Sequence, residues 1–107
     1  MNNNSQLKQS FYYRGEVYKY RIQEASLMRY KRETGNSILS EIKCGGEHLA
    51  AVLYYCVCWC GKDVSRQEFM TDWKMGNVFM RPGAKREYQT SGIIRLIRKA
   101  VKDYRIE

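Results

Sequence analysis

The sequence predicts a mainly α-helical domain with a small N-terminal β-hairpin, an α+β arrangement packed around one buried central helix. Three observations lead there. Apolar residues recur at helical spacing over most of the 107 residues, and a single proline, Pro82, interrupts them. Two short β-prone runs flank Arg14-Gly15 near the start. One stretch from His48 to Gly61, HLAAVLYYCVCWCG, is the long apolar run of the chain and must be buried.

Met1 to Ser10, rich in Asn, Ser and Gln, reads as a flexible terminus, and residues 11–107 as a single domain. Phe11, Tyr12 and Tyr13 lie on one side of the Arg14-Gly15 turn and Val17 to Ile22 on the other. In the second strand Tyr18, Tyr20 and Ile22 share one face and Lys19 and Arg21 the other, the period-2 pattern of a strand with one wet side. A lone hairpin is marginal in water, so its aromatic face must rest on helices.

From Gln23 the period lengthens, with Ala25, Leu27, Met28 and Tyr30 among charged residues. Gly35 supplies a helix stop and Asn36 a fresh N-cap. Ser37 to Lys43 forms a short second helix carrying Ile38, Leu39 and Ile42, ended by Cys44-Gly45-Gly46. The central helix is expected from about Glu47 through Cys60, because His48 to Ala51 favours helix and the run has no polar face. A strand for LYYCVCWC is the competing reading.

Ser65-Arg66-Gln67-Glu68 is a capping box that starts a helix with Phe69, Met70 and Trp73, ending near Met75-Gly76. Asn77 to Lys85 reads as a loop holding Val78, Phe79 and Met80 against something apolar. From Ser91 an amphipathic helix follows, with Ile93, Ile97, Ala100, Val101 and Tyr104 on one stripe and Arg95, Arg98, Lys99 and Lys102 on another.

The net charge of +8 draws the protein toward anionic surfaces without choosing among them. No stretch reaches the roughly 20 apolar residues of a membrane span. The first ten residues lack the apolar core of a signal peptide. A cytoplasmic location follows, where the four cysteines stay reduced and serve as small core side chains or as ligands. Cys44, His48, Cys56 and Cys60 have a spacing that offers four zinc ligands, but two of them fall inside an apolar helix. The expectation is therefore no metal and no cofactor, with a structural zinc module ranked below the other readings.

His48 is expected to be an exposed residue at a helix start, and nothing marks a Cys/His nucleophile pair with an orienting group. The carboxylates are scattered, and Gly45-Gly46 lacks the Lys-Ser/Thr of a phosphate loop. The chain is therefore read as no enzyme. The basic stripe of Arg95, Arg98, Lys99 and Lys102, with Lys85, Arg86 and Arg105 nearby, is the candidate for nucleic-acid binding if that alternative holds. Trp73, Phe79 and Met80 are the candidates for a protein-binding surface.

The segment VYKYRIQEASLMRYKRETGNSILSEI resembles the opening of tail assembly chaperones of long-tailed bacteriophages. The likeness lies in a basic-aromatic strand (Tyr18, Tyr20, Ile22), a helix (Leu27, Tyr30), the break Thr34-Gly35-Asn36 and a short apolar helix (Ile38, Leu39, Ile42). Leu49 to Trp59 would be the apolar helix that follows and Val64 to Phe69 the capped one, so the similarity covers about Glu16 to Trp73. Many such chaperones are acidic, whereas this chain is basic and has a basic C-terminal helix of its own. The resemblance implies a non-enzymatic virion assembly factor that binds the tape measure protein and tail tube subunits and self-associates, with no functional residue carried over by identity.

Overall fold

A computed structural model describes the backbone of residues 9–80 and 86–107 and the side chains of residues 9–79 and 90–107. In the turn between the first two strands both residues have positive φ, Arg14 at 52° and Gly15 at 78°. That two-residue geometry matches the right-handed twist of a hairpin. It joins β1 (Ser10–Tyr13) to β2 (Glu16–Lys19) antiparallel, with Phe11 opposite Tyr18 and Tyr12 opposite Val17. Ser10, assigned from sequence to the loose terminus, opens β1, and the carbonyl of Gln9 accepts from the Tyr20 N–H at 3.0 Å.

The predicted loop at Asn77 to Lys85 is corrected at its start. Val78–Met80 is a third strand, β3, antiparallel to β1, with Val78 opposite Tyr13 and Phe79 opposite Tyr12. The sheet order is β2-β1-β3. Alternation sets its two faces: Phe11, Tyr13, Tyr18, Tyr20 and Val78 are buried inward, and Tyr12, Val17 and Phe79 point outward. Residues 81–85 lie outside the described residues.

Helix α1 (Glu24–Thr34) buries Leu27 and Tyr30 and ends at Gly35, whose φ of 71° is the left-handed C-cap expected there. Helix α2 (Ile38–Ile42) is capped by Ser37 rather than by Asn36, its hydroxyl accepting from the Ser40 N–H. Asn36 instead donates its own N–H to the Thr34 hydroxyl.

The central helix is shorter than predicted. Helix α3 (Gly46–Leu53) buries every residue from Leu49 to Leu53, but a single 3₁₀ turn at Tyr54–Cys56 closes it. Val57 is extended and bridges Tyr20, with Arg21 N–H on the Cys56 carbonyl and Cys58 N–H on the Lys19 carbonyl, both at 2.9 Å. Cys60 (φ 54°) and Gly61 (φ 81°) then reverse the chain, with Lys62 N–H on the Trp59 carbonyl at 3.0 Å. The free edge of β2 near Tyr20 thus outcompetes helical continuation at the β-branched Val57.

Helix α4 (Arg66–Lys74) starts at the expected capping box, Ser65 and Glu68 each bonding the other's backbone N–H at 3.1 Å. Helix α5 (Arg86–Asp103) begins earlier than Ser91 and buries Ile93, Ile97, Ala100 and Val101. Tyr104, placed on that stripe from sequence, lies past the helix end and is exposed.

The inner face of the sheet meets α4 and the Trp59 turn in an aromatic cluster. The Phe69 ring lies 5.4 Å from Tyr13 and 5.2 Å from Trp59, and Trp59 lies 5.0 Å from Tyr18. The Trp59 indole N–H reaches the Tyr54 carbonyl at 3.0 Å, so the half-buried ring has its donor satisfied. Leu27, Ile38, Leu49, Val52, Leu53, Ile93 and Ile97 complete the core among the helices. Each such fully buried aliphatic side chain contributes roughly 1.5 to 3 kcal/mol.

Candidate functional site

The residues with metal-ligand spacing do not converge. Cys44 is exposed, its Sγ 3.2 Å from the Ser40 carbonyl. Cys56 is in the core, its thiol pushed up to about 12 by burial and facing the Val52 carbonyl. Cys60 is exposed on the turn, 3.1 Å in Sγ–Sγ distance from Cys58. Among the described residues no three His, Cys, Asp or Glu side chains are grouped to hold a metal ion. The reading of the cysteines as core side chains is corrected for three of the four, because the central helix ends before it reaches Cys58 and Cys60.

His48 sits near the start of α3 and is half-buried, its Nδ1 paired with the Glu41 carboxylate, which also accepts from the Tyr30 hydroxyl. Burial pushes the Glu41 carboxyl up, but the bonds from Tyr30 and His48 outweigh it and hold the group below the usual carboxylate range. This triad ties α1, α2 and α3 together. Two of its members donate to the third and together they join three helices, so the triad reads as a structural clamp.

Trp73, proposed from sequence as a surface residue, is only 2% exposed and packs 6.0 Å from Phe69. This is a correction: the side of α4 that carries Phe69 turns Trp73 inward as well. Phe79 is 61% exposed. Met80 pairs with Phe11 through its backbone, and its side chain lies outside the described residues.

Phe79 does not stand alone. Tyr12 is its direct cross-strand partner on β1 and Val17 is the partner of Tyr12 on β2, so three apolar side chains form a row across the outer face of the sheet. Tyr12 is 38% and Val17 52% exposed. A groove of about 540 Å³ runs beside the row, lined by Tyr12, Tyr13, Arg14, Gly15, Asp72, Asn77 and Phe79. Arg14 is held at its rim by Glu68 at 3.1 Å and Asp72 at 3.3 Å. Among the described residues β3 pairs on one side only, with β1. Sequence reading missed Tyr12 and Val17; the alternation of Phe11-Tyr12-Tyr13 across the sheet was the signal that could have found them.

The basic stripe divides. Lys99 is paired with Asp103 at 2.7 Å, whereas Arg98 and Lys102 line a second groove with Lys43 and Arg105. Its volume is about 520 Å³, and Leu39, Val101 and Glu107 complete the lining. Arg95 is exposed on the same helix outside that groove. Lys85 and the side chain of Arg86 lie outside the described residues. Lys43, at the end of α2, was not legible as a member of this group because it lies 55 residues from Arg98 in the chain.

Among the described residues no helix is long and apolar enough to cross a membrane. Compared with known proteins, the chain matches no family model, no curated protein and no solved structure.

Proposed function

We propose that this protein is a non-enzymatic assembly factor of the tail-assembly-chaperone kind, working in the cytoplasm through contacts with other proteins. Its partners on this reading are a tape measure protein and tail tube subunits. The observation that carries the proposal is the row Val17, Tyr12 and Phe79 across three adjacent strands, apolar and exposed, with the outer strand β3 paired on one side only among the described residues. Side chains of this size left in water on neighbouring strands are costly unless something covers them. Extended segments add readily to an open edge through main-chain hydrogen bonds, with side chains seated on the adjoining face. The strand–helix–glycine–helix order of Glu16 to Ile42 agrees with the resemblance.

Co-expression tests the proposal. A tape measure protein encoded beside this chain stays soluble when the wild-type protein is present and aggregates when the Tyr12→Ser/Phe79→Ser variant replaces it. Equal solubility with both proteins, or with neither, contradicts the reading. Nucleic-acid binding through α5 is the second reading, favoured by Arg98 and Lys102, which have no ion-pair partner among the described residues. It requires affinity for single- or double-stranded nucleic acid that falls steeply with added salt.

A further inference from the structure

We infer that the groove between α2 and α5 is a second docking site, and that its occupant is an acidic amphipathic helix of a partner protein. The inference rests on the reading of this chain as a protein-binding factor and names a partner chemistry for a face away from the sheet.

The charge is concentrated and unsatisfied. Lys43, Arg98, Lys102 and Arg105 surround one groove, and among the described residues no carboxylate forms an ion pair with any of the four. Glu107 is the one acid in the lining among the described residues, and it is turned to α2, where it accepts from the Ser37 hydroxyl and the backbone N–H groups of Ile38 and Leu39. Four like charges at close quarters repel one another, and a ligand bringing carboxylates relieves that repulsion.

The floor beneath the cations is apolar. Leu39 and Val101 form it, Val101 belonging to the buried stripe of α5 and Leu39 packing against the core. Next along the same two helices lies another groove of about 400 Å³, lined by Ile42, Leu49, Trp73 and Ile94 among others, with Lys43 in the wall of both. From Ile94 to Val101 is seven residues of helix, about 10 Å at 1.5 Å per residue. A helix of about two turns spans that length, with apolar residues three and four apart facing the floor and acidic residues at the end nearest Arg98, Lys102 and Arg105. A nucleic acid strand has phosphates for the cations but no aliphatic side chains for the two apolar floors.

The test is selection of a yeast-displayed library of random 16-residue peptides on the full-length protein. Enriched peptides are expected to carry Leu, Ile or Met at helical spacing together with Asp or Glu. As synthetic peptides they are expected to lose at least tenfold in affinity for Arg98→Glu/Lys102→Glu and for the milder Arg98→Gln/Lys102→Gln. Both variants alter exposed side chains, and their melting curves are compared with wild type so that a folding defect is recognised. Phe79→Ser is expected to leave peptide binding unchanged, which separates failure here from failure of the sheet-face proposal. Enrichment without acidic residues, or affinity indifferent to both double substitutions, overturns the inference. So does binding of fluorescein-labelled dT20 that the same substitutions abolish while selected peptides fail to compete, an outcome that assigns the groove to nucleic acid.

Discussion

The Glu107 carboxylate caps helix α2 from 69 residues away, accepting hydrogen bonds from the backbone N–H groups of Ile38 and, at 3.2 Å, Leu39. The Ser37 hydroxyl adds a third bond at 2.8 Å and Lys31 an ion pair at 3.9 Å. A five-residue helix has more unpaired N-terminal amides than internal bonds, so this cap decides whether α2 holds its place. Glu107→Ala is expected to lower stability by about 1 to 2 kcal/mol, the range for losing a good N-terminal cap. An unchanged urea midpoint would show that the carboxylate is dispensable.

Acid should weaken the fold through the same contacts. At both Glu107 and Glu41 burial pushes the carboxyl up, but the hydrogen bonds each accepts prevail and the folded value lies below the ordinary one. A carboxyl depressed in the folded state contributes stability that is fully present above its unfolded value, about 4.3, and lost as pH falls through the folded value. Melting temperature is therefore expected to decline below about pH 4.3. Glu41→Gln/Glu107→Gln should be less stable at neutral pH and show a shallower acid decline. A parallel decline in both proteins would place the acid sensitivity elsewhere.

Trp73 and Phe79 are expected to part company on substitution. Trp73→Ala empties a site that is 2% exposed and should cost about 3 to 5 kcal/mol, visible as a large drop in melting temperature. Phe79→Ser changes a side chain that is 61% exposed and should stay within about 0.5 kcal/mol of wild type. If the two variants melt alike, the burial difference between them is wrong.

The elements with strong local signals were legible in the sequence. The Arg14-Gly15 turn, the Gly35 stop and the Ser65–Glu68 capping box each depend on residues within four positions of one another. What escaped depended on distant partners. Val78–Met80 is three residues long and becomes a strand because β1, some 65 residues earlier, offers an edge. Val57 leaves the helix because Tyr20 offers another. The same cause hid most of the candidate surfaces: the Tyr12 and Val17 neighbours of Phe79, and the approach of Lys43 to Arg98, exist only once remote segments have packed.

The thiols give an inexpensive check of where the central helix ends. Cys44, Cys58 and Cys60 are exposed while Cys56 is buried with its thiol pushed up to about 12. An aromatic disulfide reagent at pH 8 should therefore modify three thiols of the native protein quickly and the fourth only on unfolding. If the helix instead ran on through Cys60 as a buried element, fewer than three would react.

The most direct test of the account is the affinity of the purified protein for a soluble tape measure fragment, measured by calorimetry for wild type and for Tyr12→Ser/Val17→Thr/Phe79→Ser at low and high salt. An apolar sheet face predicts at least a tenfold loss in the triple variant, a wild-type affinity nearly independent of salt, and a negative heat-capacity change on binding. Wild-type affinity in the triple variant, or affinity that collapses with added salt, would contradict it.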